Sequence, residues 1–407
     1  MINIYINELG RIRDAEINVK PMMVFTGDSG LGKSYTAFLI DHVFNVISRS
    51  RIGFFVQNKI QTLGEEKDKG FSFRFKDLRL WAINDASQYL GYLTGNMDFS
   101  CSVNYTFDIP DDLTITLTSS LVEDFRQIII NGVPYYYPKD YDDWVVLYGL
   151  SLNRFLTSLI FSKEALYHYM MPPARAAFMG AKNAKSAFSG IGMYEQFISF
   201  NDYASSVSQR KSQDDQFFNS MIKRLTNGEI IVTNGQTYLR LPSGKNLPIS
   251  AAASSVKELT PLLLLLQKDI EYQKLSILFE EPEAHVHPKN QDLVADLIAR
   301  CFNKGMMFQI TTHSDFILGR FNQLIRLGNL KRTKPTNFKK YCHDNKQSDS
   351  LFLDYEQIGA YYFEELSNGN VAVKQQDISN GIPFTTFHEI IDRQERIDDL
   401  IEKYTED

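Results

Sequence analysis

Ile2, Ile4 and Ile6 alternate with other residues, as do Ile17 and Val19 beyond a turn-like segment at Gly10. This period of two predicts a pair of half-buried strands. Met22 to Phe25 is a short unbroken apolar run that leads directly into a glycine-rich block. Behind the block Phe38, Leu39, His42, Val43, Val46 and Ile47 recur at helical spacing. The order is strand, glycine loop, helix. From about 58 to 141 the pattern is irregular, with strands expected at 100–109, 113–117 and 127–130, and Asn131-Gly132 marks a hairpin. Residues 144–169 read as helix and lead into Pro172-Pro173-Ala174-Arg175, where Arg175 is expected at the surface, with contact to phosphate or a partner subunit as the alternative. The small polar stretch 180–189 is expected to be a mobile loop. Residues 194–225 read as polar helices of a lid or lobe rather than of the core, and 229–232 and 238–241 as a hairpin.

The second half carries two further apolar runs of strand length. Leu275 to Phe279 has no polar alternation, which predicts a strand buried on both faces as in a parallel sheet. It ends abruptly in Glu280-Glu281-Pro282. Met306 to Ile310 is a second such strand, ending in Thr311-Thr312-His313, and Leu293, Val294, Leu297, Ile298 and Cys301 mark a helix between them. Upstream, small residues precede the apolar run Leu262 to Leu266, predicting a helix capped by Ser254 or Ser255 and kinked or delayed by Pro261. Basic residues accumulate between Arg320 and Lys346, read as a solvated loop with a nucleic-acid patch as the alternative. Residues 387–404 read as a charged amphipathic helix.

Three of these places can carry chemistry. Gly27-Asp28-Ser29-Gly30-Leu31-Gly32-Lys33-Ser34 fits the P-loop pattern G-x-x-x-x-G-K-[ST] between a strand and a helix. Glycines let successive N–H groups turn inward around phosphate oxygens, and the helix N-terminus adds partial positive charge. Lys33 would reach the β- and γ-phosphates, the Ser34 hydroxyl would ligate Mg²⁺, and Tyr35 completes the expected nucleotide-binding segment. Glu280 and Glu281 stand at a strand's carboxyl end, where α/β folds bind ligands. One acid can hold a metal ion and its neighbour can orient an attacking water, and His313 on the next strand end could sense a γ-phosphate. Hydroxyls and free N–H groups near Ser254 would suit a second phosphate-binding end.

Composition changes this picture little. With 407 residues, 43% apolar and 23% charged, the chain can bury a large core. A net charge of −6 supplies no global field toward DNA or anionic membrane. The three cysteines are far apart and odd in number, which fits a reducing compartment and a cytoplasmic address. The N-terminus lacks the basic and apolar regions of a signal peptide. Four segments are expected: 1–57 and 236–330 as two parts of a nucleotide-binding core, 58–235 as a β-rich and helical insertion or lid, and 331–407 as a basic loop with strands and a charged helix.

In this order the motifs resemble an ABC-type ATPase head of the SMC-like group, and more narrowly the OLD-like ATPases of bacteria. The fold class implied is α/β: a P-loop NTPase with a mixed, largely parallel sheet, flanking helices, an antiparallel β portion and a helical lid. The run Glu280 to Pro288 matches that group's Walker B and D-loop, Ser254 to Leu259 its signature segment, and Pro172 to Arg175 a proline–arginine segment common there. The resemblance implies ATP and Mg²⁺ as cofactors, with Ser34 and Glu280 on the metal side. Glu281 would polarise water and His313 would contact the γ-phosphate. Ser254, with Lys257 nearby, would meet the γ-phosphate held by a second copy in a head-to-tail dimer. It also implies ATP hydrolysis, slow or conditional because Glu280 stands for Asp and Ser255-Val256 for two glycines. Many of its members serve in anti-phage defence, so a separate effector, a nuclease or toxin in another chain, is the expected partner, as in PARIS- or Septu-type two-gene systems. The alternatives are a DNA-engaging repair ATPase and a nucleotide-locked scaffold with little hydrolysis.

Overall fold

The computed structural model describes residues 2–179, 190–206, 216–268, 270–383, 393–399 and 401. Its centre is a nine-stranded sheet. Five of the strands are mutually parallel neighbours: β9 (Tyr167–Met171), β13 (Leu275–Glu280), β14 (Met307–Thr311), β3 (Met22–Gly27) and β15 (Ile358–Glu365). The other half is mostly antiparallel: β16 (Val371–Gln375), β2 (Ile12–Val19), β1 (Ile2–Leu9) and β5 (Cys101–Phe107). Strands from all four expected segments therefore meet in one sheet.

Both faces of the parallel half are covered, which is why its strands read as unbroken apolar runs. Met22 and Val24 of β3 join one buried cluster while Met23 and Phe25 join the other. On the second face lie α1 (Lys33–Ser48), α2 (Ile52–Gln61), α3 (Phe75–Thr94) and α4 (Trp144–Phe161). The first face holds α5 (Gly192–Ser206), α6 (Gln216–Thr226), α7 (Ser254–Leu266), α8 (Pro288–Asn303) and α9 (Asp315–Thr333). Two small antiparallel sheets are separate: β4 (Phe71–Arg74), β6 (Thr114–Val122), β7 (Phe125–Ile130) and β8 (Val133–Pro138), and then β10 (Glu229–Thr233), β11 (Gln236–Arg240) and β12 (Asn246–Pro248). The hairpins expected at Asn131-Gly132 and around 233–237 are both present.

Several expectations are corrected. The irregular stretch after residue 58 contains α3, opened by the Asp77 carboxylate, which accepts from the Arg74 N–H at 3.1 Å, and closed by Gly95 at φ 70°. Its buried positions Leu78, Ala82, Ala86, Tyr89 and Leu93 recur every three or four residues, but aromatics suited to strands dilute the signal. The helix beginning at Trp144 stops at Phe161, where Ser162 turns left-handed at φ 53°. Tyr167–Met171 is then a strand, because it pairs with Leu275–Phe279 along one edge of the sheet. By length and composition α4 is the one described helix that could cross a membrane, yet Leu147, Leu152 and Leu156 are fully buried in the core.

The helices at 194–225 are not a detached lobe, since Phe197, Phe200, Met221 and Ile222 enter the same core as β13. The basic stretch is not a loop but α9 followed by α10 (Pro335–Asp344). Neither Ser254 nor Ser255 caps α7; Ala253 holds that position without a side-chain bond, and the helix runs through Pro261. The expected loop at 180–189 and most of the expected helix at 387–404 lie outside the described residues; 393–399 is helical.

Candidate nucleotide site

β3, β14 and β13 end side by side, so the loops that follow them converge at the carboxyl edge of the sheet. After β3 the chain turns through Gly27 (φ 124°), Gly30 (φ 77°) and Gly32 (φ 92°). Asp28, Ser29 and Gly30 form an exposed tip, while Leu31 is buried and anchors the loop. Gly32 precedes α1 with no side-chain cap, leaving the first N–H groups of that helix for an anion. Lys33 folds back over the loop, its Nζ donating to the carbonyls of Gly27 (2.9 Å) and Asp28 (2.6 Å). Burial lowers its pKa to about 8, against the opposing charges of Asp28, Glu281, Glu283 and Glu280. Tyr35 is partly exposed beside the loop and stacks on Phe99 at 5.3 Å between ring centroids.

From β13, Glu280 accepts a 2.6 Å hydrogen bond from Ser34 Oγ through Oε2. It is almost fully buried, and desolvation raises its pKa to about 7. Among the described residues its Oε1 has no hydrogen-bond partner. An unpartnered buried carboxylate oxygen beside a hydroxyl is a donor set that suits a hard divalent cation, so Ser34 and Glu280 fit Mg²⁺. Glu281 follows in a left-handed conformation (φ 44°) that turns it off the strand line, its N–H donating to Thr311 O at 3.0 Å. His313 leaves β14 on the same side; desolvation first, then the charge of Lys33, holds its imidazole below the usual value.

Glu283 organises this corner in a way not anticipated. It accepts from Thr312 Oγ1 (2.9 Å) and from His313 N–H (2.7 Å), joining the acidic turn to the histidine loop. The signal available was the third acid of Glu-Glu-Pro-Glu. Arg175 is the larger surprise. Expected at the surface, it is completely buried, because its donors satisfy main-chain carbonyls that the strand ends leave open. Nη1 reaches Pro172 O and Glu280 O, both at 2.6 Å, and Nη2 reaches Glu281 O at 3.1 Å. Glu258 Oε2 lies 3.0 Å from Nε. Among the described residues neither Ser254 nor Lys257 makes a hydrogen bond or ion pair with the P-loop or the acids, and Ser254 is exposed at the start of α7.

A buried polar chain lies under the site. Asp41 Oδ1 is 2.8 Å from His168 Nε2, and His168 Nδ1 is 2.9 Å from Ser276 Oγ. Tyr89 donates to Asp41 Oδ2 at 2.5 Å. Its Ser–His–Asp order resembles a hydrolytic triad, but all three residues are fully buried. The chain braces α1 against β9 and β13.

Residues 182–318 match a family model described as an AAA ATPase domain. That span contains α7, β13 and β14 and leaves the P-loop outside. No curated protein matches. Three of the similar solved structures are covered over nearly their whole length. An SMC head domain from Thermotoga maritima is 11% identical at a TM-score of 0.36, covering 92% of this chain and 98% of that one. An Smc head bound to the C-terminal winged-helix domain of ScpA is 12% identical at 0.41, covering 93% and 97%. An Smc head with an extended coiled coil, bound to the C-terminal domain of ScpA derived from Pyrococcus furiosus, is 11% identical at 0.39, covering 98% and 100%. Likenesses this distant carry no weight of their own. The strand order and the strand–glycine loop–helix unit decide the class. The fold is that of a P-loop NTPase with a mixed, largely parallel sheet, flanking helices and separate antiparallel sheets.

Proposed function

We propose that the chain binds and hydrolyses ATP at a site shared between two copies, and that this cycle controls a separate effector. The observation that carries the reading is the convergence of Lys33, Ser34, Glu280, Glu281 and His313 at three neighbouring strand ends. Lys33 is positioned to exchange its two loop carbonyls for phosphate oxygens. Ser34 and Glu280 hold Mg²⁺, which when bound offsets phosphate charge. Glu281 orients the attacking water, and His313, kept neutral by its surroundings, contacts the γ-phosphate. Tyr35 borders the nucleotide. Ser254 and Lys257 are left for the triphosphate of a second copy, since among the described residues neither hydrogen-bonds or ion-pairs with this copy's loop, and neither phosphate-binding end alone neutralises the nucleotide.

Control of a nuclease or toxin in anti-phage defence extends this reading and is supported by the resemblance of the Glu280–Pro288 run to OLD-like ATPases. Co-expression with a neighbouring gene under phage challenge, with Lys33→Ala as control, tests it. A cytoplasmic address belongs to the same proposal. DNA engagement is the second reading, favoured by the exposed cations Arg326, Lys334, Lys339 and Lys340 on or beside α9 and α10. A chain that ignores duplex DNA at low salt, where electrostatic binding is strongest, removes it.

The primary test is molar mass by light scattering on Glu281→Gln, with and without ATP and Mg²⁺. A rise to a dimer with nucleotide is expected. A monomer in both conditions, despite measured ATP binding, refutes the shared site.

A further inference from the structure

Glu281 sits in an awkward backbone state. Its φ of 44° is left-handed, and the residue before a proline is sterically pushed toward extended conformations. Such a residue persists only where its surroundings over-determine it. Two main-chain bonds contribute: Glu281 N–H to Thr311 O, and Ala284 N–H to Glu281 O, each 3.0 Å. Among the described residues a further hold is Arg175, whose guanidinium reaches the carbonyls of Glu280 and Glu281 and lies 4.9 Å from the Phe279 ring centre.

The other side of the same guanidinium is tied to α7. Nε faces the carboxylate and the carbonyl of Glu258, and Glu258 Oε1 accepts from Ala176 N–H at 3.1 Å. Both side chains are fully buried. A buried ion pair adds little stability over an apolar pair of similar volume, but an apolar pair could not grip two carbonyls. Glu258 lies one helical turn beyond the exposed Ser254. A rigid path thus runs from the open end of α7 through Glu258 and Arg175 to the backbone of Glu281.

We propose that Arg175 is a positioning residue for hydrolysis, locking the turn that aims Glu281 and coupling it to the first turn of α7. Engagement of α7 by a second copy then sets the carboxylate. This rests on the shared-site reading above. A planar fork with five donors is required, so lysine keeps the charge and loses the clamp.

The test uses the full chain with Arg175→Lys, Glu258→Gln and the double variant. Arg175→Lys is expected to leave the KM for ATP within about threefold while kcat falls about 30-fold or more. Glu258→Gln should act in the same direction, and the double variant should be no worse than the more severe single, since both interrupt one path. A kcat within threefold of the parent, a KM that worsens as far as kcat falls, or a double variant showing the product of both losses would each overturn the proposal. Where Arg175→Lys does not fold, Glu258→Gln carries the test alone. Should the parent not turn over or not dimerise with ATP, the shared-site reading fails by itself. Hydrogen exchange then decides on Arg175: faster exchange confined to 280–286 in the variant retains the clamp, and unchanged exchange there removes it.

Discussion

Gly27 and Gly30 belong to the same loop and both have positive φ, yet the structure assigns them very different costs for a methyl group. A Cβ on Gly27 would lie 2.4 Å from the carbonyl oxygen of Phe363 and 3.1 Å from its Cβ, whereas among the described residues a Cβ on Gly30 meets nothing within 4 Å. Phe363 belongs to β15 and is in register with Gly27, so relief requires moving one strand of the central sheet away from another. The left-handed backbone costs an alanine about 1–2 kcal/mol at either position. Overpacking against backbone adds about 1–3 kcal/mol at Gly27 alone. Gly27→Ala should therefore destabilise by about 2–5 kcal/mol and Gly30→Ala by about 1–2 kcal/mol. Urea unfolding of both variants, with binding of a fluorescent ATP analogue read in parallel, measures the difference. Gly27→Ala should weaken binding as well, because the carbonyl it displaces is one that holds Lys33. Equal midpoints for the two variants, or a Gly27→Ala loss under about 1 kcal/mol, would refute the reasoning that β15 confines the loop.

Three further outcomes are expected. Lys33→Ala should abolish ATP binding measured by calorimetry, and unchanged binding would remove the P-loop assignment. Tyr89→Phe deletes the donor to buried Asp41 Oδ2 and the acceptor for Gln196 Nε2; a loss of about 2 kcal/mol in urea is expected for a charged acceptor left unpaired. His42 is buried between Tyr105 and Asp85, each 3.0 Å away, and burial lowers its pKa below 6.5. As pH falls, the unfolded chain takes up this proton first. The contribution is therefore complete above about pH 6.5 and is lost below it, with a slope of at most about 1.4 kcal/mol per pH unit. Urea midpoints between pH 7.5 and 5.5 should show a fall that His42→Gln reduces, and an identical fall in the variant would assign it elsewhere.

Local patterning determined much of this protein. The P-loop was legible because its glycines, lysine and serine are consecutive and flanked by a strand run and a helical period. The acidic turn was legible because two carboxylates and a proline interrupt an unbroken apolar run. Those features depend on neighbours within about ten residues, so the chain itself displays them. Tertiary structure decided what depends on distant partners. Tyr167–Met171 became a strand only because β13 offers it an edge, and β15 reached the centre of the sheet from far along the chain. Arg175 followed a proline-stiffened segment and read as surface; it is buried because Glu280, Glu281 and Glu258 supply its acceptors from 83 to 106 residues away. An arginine's burial is set by the acceptors that meet it, and only the folded chain brings these together.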